Sequence, residues 1–512
     1  MAPLPQALPL TTFERIMWYD DHRRLPMTFR LELVFDGLLD RQAFHAAFAA
    51  ASARHPLLQA VVVRRWGRLC WMPAERSASV IWVDPFSPAP ANAWEGIQPW
   101  REPGVRIIAA EVPSDEVPEA ADCPVDRAGM WTRCTFLFHH TAVDGLGALL
   151  FVGELMASYH ELLTGKSVPR DPDLTPEPRL LPWRDGLSPV PAEFQISPEA
   201  PAELSQELIP ESVRPPSAEV SRETWKFVTF FPQAMLPPAK PRRDPFLRRA
   251  APLAGGLATG WLNVDDSRRL RERANRDRMP PNAWMLAQLY ETQWRWNEQR
   301  GRPRAQQRTR VTVPVSLRDR ARQRLPAANC MSYLNINARA RDTQSVGELR
   351  QKLHQFMVIV AQQGWAAIFV EQFRGVDWIP GLIALGSRLP WGHSSMVFSN
   401  IGHFRRRIGA RLPTRQGTIQ MGNVQMISVF GSPPIRYGTS VSIGAGIYRD
   451  RIGFGATACP QTFGRAGAQA FLDEFLDDLR ESVRDRGTNV AAGSSVALSA
   501  APTPSNRLRN CR

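Results

Sequence analysis

Residues 169–252 hold 18 of the chain's 45 prolines, and no regular element tolerates that density. Proline fixes φ and lacks an amide donor, so helix interiors and central strands exclude it. The segment 166–254 is therefore expected to be a long linker or a crossover hugging the surface. One run inside it, TWKFVTFF (224–231), reads as a strand that could dock on a neighbour. The segment divides the 512 residues into units at 1–165 and 255–486, each long enough for its own core. The small, polar tail 487–512 reads as disordered.

Hydrophobic residues at 44% and charged residues at 22% match an ordinary globular chain, which excludes a fibrous or disordered protein. No run approaches 18 unbroken apolar residues, so no spanning helix is expected. The opening MAPLPQALPLTTFERIMW lacks a basic leader followed by an apolar stretch, so no signal peptide is read. Six cysteines (Cys70, Cys123, Cys134, Cys330, Cys459, Cys511) are scattered without a CxxC pair. Neither a disulfide framework nor a thiolate metal site is expected, and the cytoplasm is the default compartment.

Net charge is +14, from 63 basic residues of which only four are lysines (Lys166, Lys226, Lys240, Lys352). The arginines are spread along the chain. One run, HFRRRIGARLPTR (403–415), could meet phosphate or anionic lipid. With no accompanying nucleic-acid motif, a solvated basic face is the favoured reading and nucleic acid is not an expected partner.

In the first unit, Phe29, Leu31, Leu33 and Phe35 alternate as a half-buried strand. Asp40 then caps a helix with Phe44, Ala47, Phe48 and Ala51 on one face, ending before Pro56. A β-prone run, WTRCTFLFHH, leads through TAVDGLG into an amphipathic helix bearing Leu149, Val152, Met156, Tyr159 and Leu163. The second unit opens with TGWLNV as a strand and two helices. RTRVTVPVSLR follows as a strand, then a helix from Ser345 with Glu348 in capping-box spacing. Strands are expected at SSMVFSNI, NVQMISVF, SVSIGAGIY and IGFGATAC, and a last helix through Phe471, Phe475 and Leu479. The fold class is α/β with mixed sheets.

The sharpest feature is His139-His140-Thr141-Ala142-Val143-Asp144-Gly145 at a strand-to-helix junction. Adjacent side chains on a strand point to opposite faces, so the two histidines are poor joint ligands for a metal, and none is expected. Only one imidazole can enter a given cavity, where its near-neutral pKa suits a general base. Asp144 can accept hydrogen bonds or pair with an arginine to fix the loop. The bland reading is a satisfied core histidine beside a turn.

HHTAVDG resembles the HHxxxDG signature of the chloramphenicol-acetyltransferase-like superfamily. That group includes condensation domains of nonribosomal peptide synthetases, wax-ester synthase/diacylglycerol acyltransferases and alcohol acetyltransferases. RHPLLQA (54–60), GELMASYHELLTGKSVP, VPVSLRDR (313–320) and VFSNIG (397–402) resemble further segments of these families. The resemblance implies two similar lobes forming a V, with a tunnel between them and the signature at its middle. It implies an acyltransferase: an acyl thioester, on coenzyme A or a carrier protein's phosphopantetheine, meets an alcohol or amine acceptor, small molecule or lipid. His140 would be the base, with direct attack and no acyl-enzyme. His139 would support, and Asp144 would be structural, salt-bridged to Arg54 first or Arg318 second. Gly145 would permit the tight turn, a loop amide would assist the oxyanion, and Ser399 and Asn400 would line the tunnel.

Gln59 stands where many condensation domains carry a second arginine, Asn329-Cys330 stands where wax-ester-type enzymes carry Gly-Asn, and the DFGWG motif is absent. Any carrier protein would act in trans, no bound cofactor is expected, and the lobe pair is expected to be monomeric. His55 reads as structural and His160 as a surface or interface group, whereas His393 and His403 flank the SNIG strand. Trp365, Trp378 and Trp391 sit among short apolar runs that read as core helices, with peripheral membrane contact as the minority reading. The competing class is a non-catalytic relative that binds a carrier protein or ligand.

Overall fold

The structure, a computed structural model, describes residues 7–84, 86–117, 129–194, 235–240, 253, 257–343, 345–374, 379, 381–388, 394–460 and 463–484. The strand expected at 224–231, the tail 487–512, Cys123, Cys511, Trp378, Trp391 and His393 lie outside the described residues.

The chain opens with a short strand β1 (Leu8–Pro9) and helix α1 (Thr12–Asp20), begun by a reciprocal Thr11–Glu14 capping box. The alternating run forms β2 (Thr28–Phe35), with Phe29, Leu31, Leu33 and Phe35 all buried. Helix α2 (Arg41–Arg54) starts where the Asp40 carboxylate accepts from the Ala43 amide at 2.7 Å. The hairpin of β3 (Ala60–Arg65) and β4 (Arg68–Pro73) pairs with β1, a sheet not anticipated from the residues. Strands β5 (Ser79–Val83), β6 (Val105–Pro113) and β7 (Met130–His139) then lead to helix α3 (Gly145–Thr164).

The second half begins with β8 (Ala258–Leu262), α4 (Val264–Arg276) and α5 (Pro281–Glu298). Strands β9 (Arg308–Ser316) and β10 (Met331–Arg339) form an antiparallel pair. Helix α6 (Val346–Gln362) follows its Ser345 cap, and the Trp365 segment becomes two short helices, α7 (Ile368–Arg374) and α8 (Leu382–Arg388). Next come β11 (Met396–His403), the one-turn α9 (Phe404–Arg407), β12 (Thr414–Arg415), β13 (Thr418–Met421) and β14 (Val424–Ser432). The chain closes with β15 (Val441–Tyr448), β16 (Arg451–Ala458) and α10 (Gly464–Val483).

Two large sheets result, both mixed. One has the order β12-β13-β14-β2-β7-β6-β5 and the other β10-β9-β11-β15-β16-β8. β14, read from the sequence as part of the second unit, pairs antiparallel with β2 in the sheet of the first, Ser432 opposite Arg30. The halves are therefore stitched by a strand exchange rather than divided cleanly along the chain. Where the sheets meet, glycines bring backbone against backbone: a Cβ on Gly444 would lie 2.1 Å from the Gly431 carbonyl oxygen. Its ladder partner Gly455 would be 2.6 Å from the same oxygen.

The described parts of the proline-rich segment lie against both halves. Arg184 is buried and forks onto buried Glu14 with two bonds of 2.7 Å. The Ala239 amide donates to Asn297 Oδ1 on α5 at 2.6 Å. By length and composition α3 could cross a bilayer, with mean hydropathy 1.2, although Glu154 interrupts its apolar run. It is instead the core helix of the first half, with 72% of that window buried inside the protein.

Gly444→Ala is expected to cost about 2–3 kcal/mol by overpacking backbone against backbone. The check is the thermal midpoint, and an unchanged value would contradict direct contact of the sheets.

Candidate active site

β7 runs between β2 and β6, and its last paired residue is His139, opposite Thr28. The backbone stays tied as it leaves the sheet: the His139 amide donates to Gly104 O at 2.9 Å and the His140 amide to Met27 O at 2.7 Å. His139 is fully buried. Its Nδ1 accepts from the Thr141 amide at 3.1 Å, so the neutral ring carries its proton on Nε2. That nitrogen faces Asp21 Oδ1 at 3.5 Å, an electrostatic approach rather than a well-formed hydrogen bond.

His140 has 5% of its surface exposed. Its Nδ1 sits 3.1 Å from the Val143 carbonyl oxygen, and a carbonyl can only accept, so the proton belongs on Nδ1 and the lone pair on Nε2. The ring leans on Phe29 with centroids 5.0 Å apart. Burial pushes the His140 pKa down to about 4, against the opposing pull of the Asp144 charge. At neutral pH this is an uncharged imidazole with one basic nitrogen.

Asp144 caps α3. Its Oδ1 accepts from the Gly147 amide at 2.6 Å, while Oδ2 accepts from the Cys330 amide of the second half at 2.9 Å. Arg318 Nη2 lies 3.5 Å from Oδ1 and also donates to Ala328 O at 2.9 Å. The partner is thus Arg318 and not Arg54, the first expectation. Arg54 ends α2, which packs along α3, and there it meets Glu154 at 3.2 Å, beyond the first turns of that helix.

The stretch 325–330, between β9 and β10, is clasped onto the signature from several sides. Asn329 Nδ2 donates to the His140 carbonyl at 2.5 Å, and the Ala327 amide donates to His55 Nδ1 at 2.8 Å. Burial drops the His55 pKa to about 3. Its role is that of a fixed acceptor, in keeping with a structural reading. Asn329 was visible in the sequence only as a departure from another family's pattern, with nothing local to mark it as a partner of His140.

Gly145 is the first residue of α3, has no positive φ, and a Cβ there would meet nothing within 4 Å. The expectation of a turn-enforcing glycine is corrected. The tight position is Gly147, whose Cβ would lie 2.8 Å from Val143 and 3.0 Å from Ala328 backbone atoms. Ser399 and Asn400 lie half-buried on β11, where a bulge follows and the Gly402 amide donates to Asn400 Oδ1 at 2.9 Å. They stand outside the hydrogen-bonded cluster around His140. His160 accepts from the Gly422 amide at 3.1 Å, an interface role, and His403 holds the N-cap position of α9 without a side-chain cap bond.

No family model matches this chain, and no curated protein does. Among solved structures, a variant of the starter condensation domain of rhizomide synthetase RzmA in complex with C8-CoA matches with a TM-score of 0.58. The match has 14% identity and covers 94% of this chain and 95% of that one. The first condensation domain of the CDA synthetase matches with a TM-score of 0.57 and 14% identity, over 94% and 97%. The fold is that of a condensation domain. It is the fold that the sequence resemblance implied.

In this condensation-domain fold His55 and His140 are held neutral. Unfolded, both bind protons below about pH 6.5; folded, they do so only near 3 and 4. Stability therefore falls as pH drops through that window, each group contributing up to about 1.4 kcal/mol per pH unit. Between pH 6.5 and 5 the two together are expected to remove on the order of 3 kcal/mol, measured by urea unfolding. His140→Gln should cancel about half of that loss, and an identical pH slope in the variant would contradict the assignment.

Proposed function

We propose that the chain transfers an acyl group from a thioester to an amine or alcohol, with His140 as the general base. The observation that carries this reading is the His140 tautomer: the Val143 carbonyl takes Nδ1–H, leaving a neutral, basic Nε2. The company this fold keeps supports it. A RzmA condensation domain was crystallised with C8-CoA and Leu-SNAC, an acyl thioester and an aminoacyl thioester. The first CDA condensation domain was crystallised with a substrate analogue.

In the proposed reaction the acceptor's N–H or O–H gives its proton to Nε2 while its lone pair attacks the thioester carbonyl carbon. The carbonyl oxygen becomes an oxyanion. The Asp144 cap takes the Gly147 amide, which leaves the earlier α3 amides, those of Gly145 and Leu146, to stabilise it. Collapse breaks the C–S bond, and the proton on Nε2 passes to the departing thiolate. The imidazole returns to its starting state with no acyl-enzyme formed. Asp144 and Arg318 hold the loop, His139 holds the strand end behind it, and the open space at Gly145 leaves room for the reacting groups. Ser399 and Asn400 are assigned to the substrate tunnel, with a small-molecule or lipid acceptor entering opposite the donor.

The test is thiol release from acyl-coenzyme A donors with pooled amines and alcohols. His140→Ala is expected to lower kcat by about 10²–10⁴-fold, the usual worth of a positioned base. Release that survives the substitution unchanged would overturn the assignment of His140. A wild type silent with every donor, including carrier-bound ones, would favour a binding role.

The pH profile makes a separate check. Protonation disables the base, so kcat/KM should stay flat from pH 8 down to about 5 and then decline, following the depressed pKa of His140. A decline centred near 6.5 would show an imidazole unperturbed by burial.

A further inference from the structure

The basic run 403–415, which acyl transfer leaves unused, folds into the rim of a cleft of about 470 Å³. Arg405, Arg406, Arg411 and Arg449 line it together with His403, against one carboxylate among the lining residues, Asp450. Its apolar floor includes Ile419, Ile447 and Tyr448. The Tyr448 hydroxyl is already engaged, donating to Met426 O at 2.6 Å and accepting from the Ile419 amide at 3.0 Å.

Both walls are built rather than draped. Gly402 and Gly409, each with φ +67°, bracket α9, and buried Phe404 anchors that turn edge-on to Tyr448. Ile408 is seated on α3 so closely that a Cβ on Gly153 would come 1.8 Å from its carbonyl oxygen. On the opposite wall Arg449 and Asp450 form the two-residue turn between β15 and β16, with φ of 51° and 60°. Such turns ordinarily take Asn-Gly, because both central residues are left-handed. Strain of this kind at non-glycine residues clusters at ligand sites, and here it sets Arg449 on the rim. The exposed Arg405 and Arg411 both line the cleft, and the planar fork of a guanidinium matches phosphate. A solvated basic face needs no such concavity.

We infer that this cleft binds a phosphorylated nucleotide, the adenosine 3′,5′-bisphosphate end of a coenzyme A thioester. The volume falls in the range of small-molecule sites, the apolar floor suits a planar base and the arginines suit its phosphates. The cleft also shares its supports with the proposed active site: β11 carries Ser399 and Asn400 before ending at His403, and α3 carries Gly145 about 12 Å along its axis from Gly153. The identity of the ligand rests on the acyl-transfer reading, and it selects coenzyme A over a carrier protein as donor.

The test is calorimetric titration of the full chain with adenosine 3′,5′-bisphosphate and, separately, with pantetheine 4′-phosphate. Wild type is compared with Arg405→Glu/Arg411→Glu and with the milder Arg405→Gln/Arg411→Gln, both positions being exposed. Wild type should bind the bisphosphate more tightly than the pantetheine phosphate. The charge reversal should weaken the bisphosphate at least tenfold, the neutral pair less, with thermal midpoints unchanged. In turnover the reversal should raise KM for acyl-coenzyme A at least tenfold and abolish its advantage over acyl-pantetheine. No bisphosphate binding, equal binding by all three proteins, or a preference for pantetheine phosphate would overturn the inference. Bisphosphate binding without any His140-dependent transfer would instead overturn the proposed reaction and leave the cleft standing.

Discussion

The Asp144 carboxylate is the point on which the site depends. One oxygen caps α3 of the first half and the other accepts the Cys330 amide from the second, with Arg318 alongside. All of these groups are buried, so the carboxylate is surrounded by donors and its charge is neutralised locally. Removing either partner of such a buried pair strands the charge of the other, so the arrangement holds as a unit. Here the geometry it selects is the path of residues 140–144, which puts the Val143 carbonyl within reach of His140 Nδ1. The His140 tautomer is thus set through the loop that the Asp144 carboxylate holds.

The same stretch of the second half serves as the other jaw of the clasp. His55, Asn329 and the amides of Ala327 and Cys330 leave residues 325–330 little freedom to move away from the signature. The strand exchange of β14 and the glycine contact between sheets act in the same direction at larger scale. A site assembled from both halves requires the halves to be fixed relative to each other; the clasp at 325–330 does this beside the site, and β14, which carries Gly431, does it between the sheets.

Much of this was legible in the sequence because the signals were local. Alternation marked β2, the Asp40 cap and Pro56 bounded α2, and the paired histidines marked the end of β7. What was not legible depends on long-range pairing. Nothing within NVQMISVF says that its neighbour is β2, since a buried strand reads the same in either sheet. Arg54 lay nearer in sequence to Asp144 than Arg318 did, yet helix packing carries it to Glu154 instead. Asn329 and His55 are ordinary residues until the chain brings 325–330 against the signature. Gly147, rather than the motif's Gly145, bears the close contact because Val143 and Ala328 crowd that turn.

The central claim is that His140 stands neutral, with its proton on Nδ1 and its lone pair on Nε2. The most direct measurement is nitrogen NMR of the ¹⁵N-histidine-labelled full chain, with the His140 signals assigned by their loss in His140→Gln. At pH 7 the account predicts a protonated-type Nδ1 and an unprotonated-type Nε2 that both hold steady down to about pH 5. The reverse tautomer, or a ring that averages and titrates near 6.5, would contradict it.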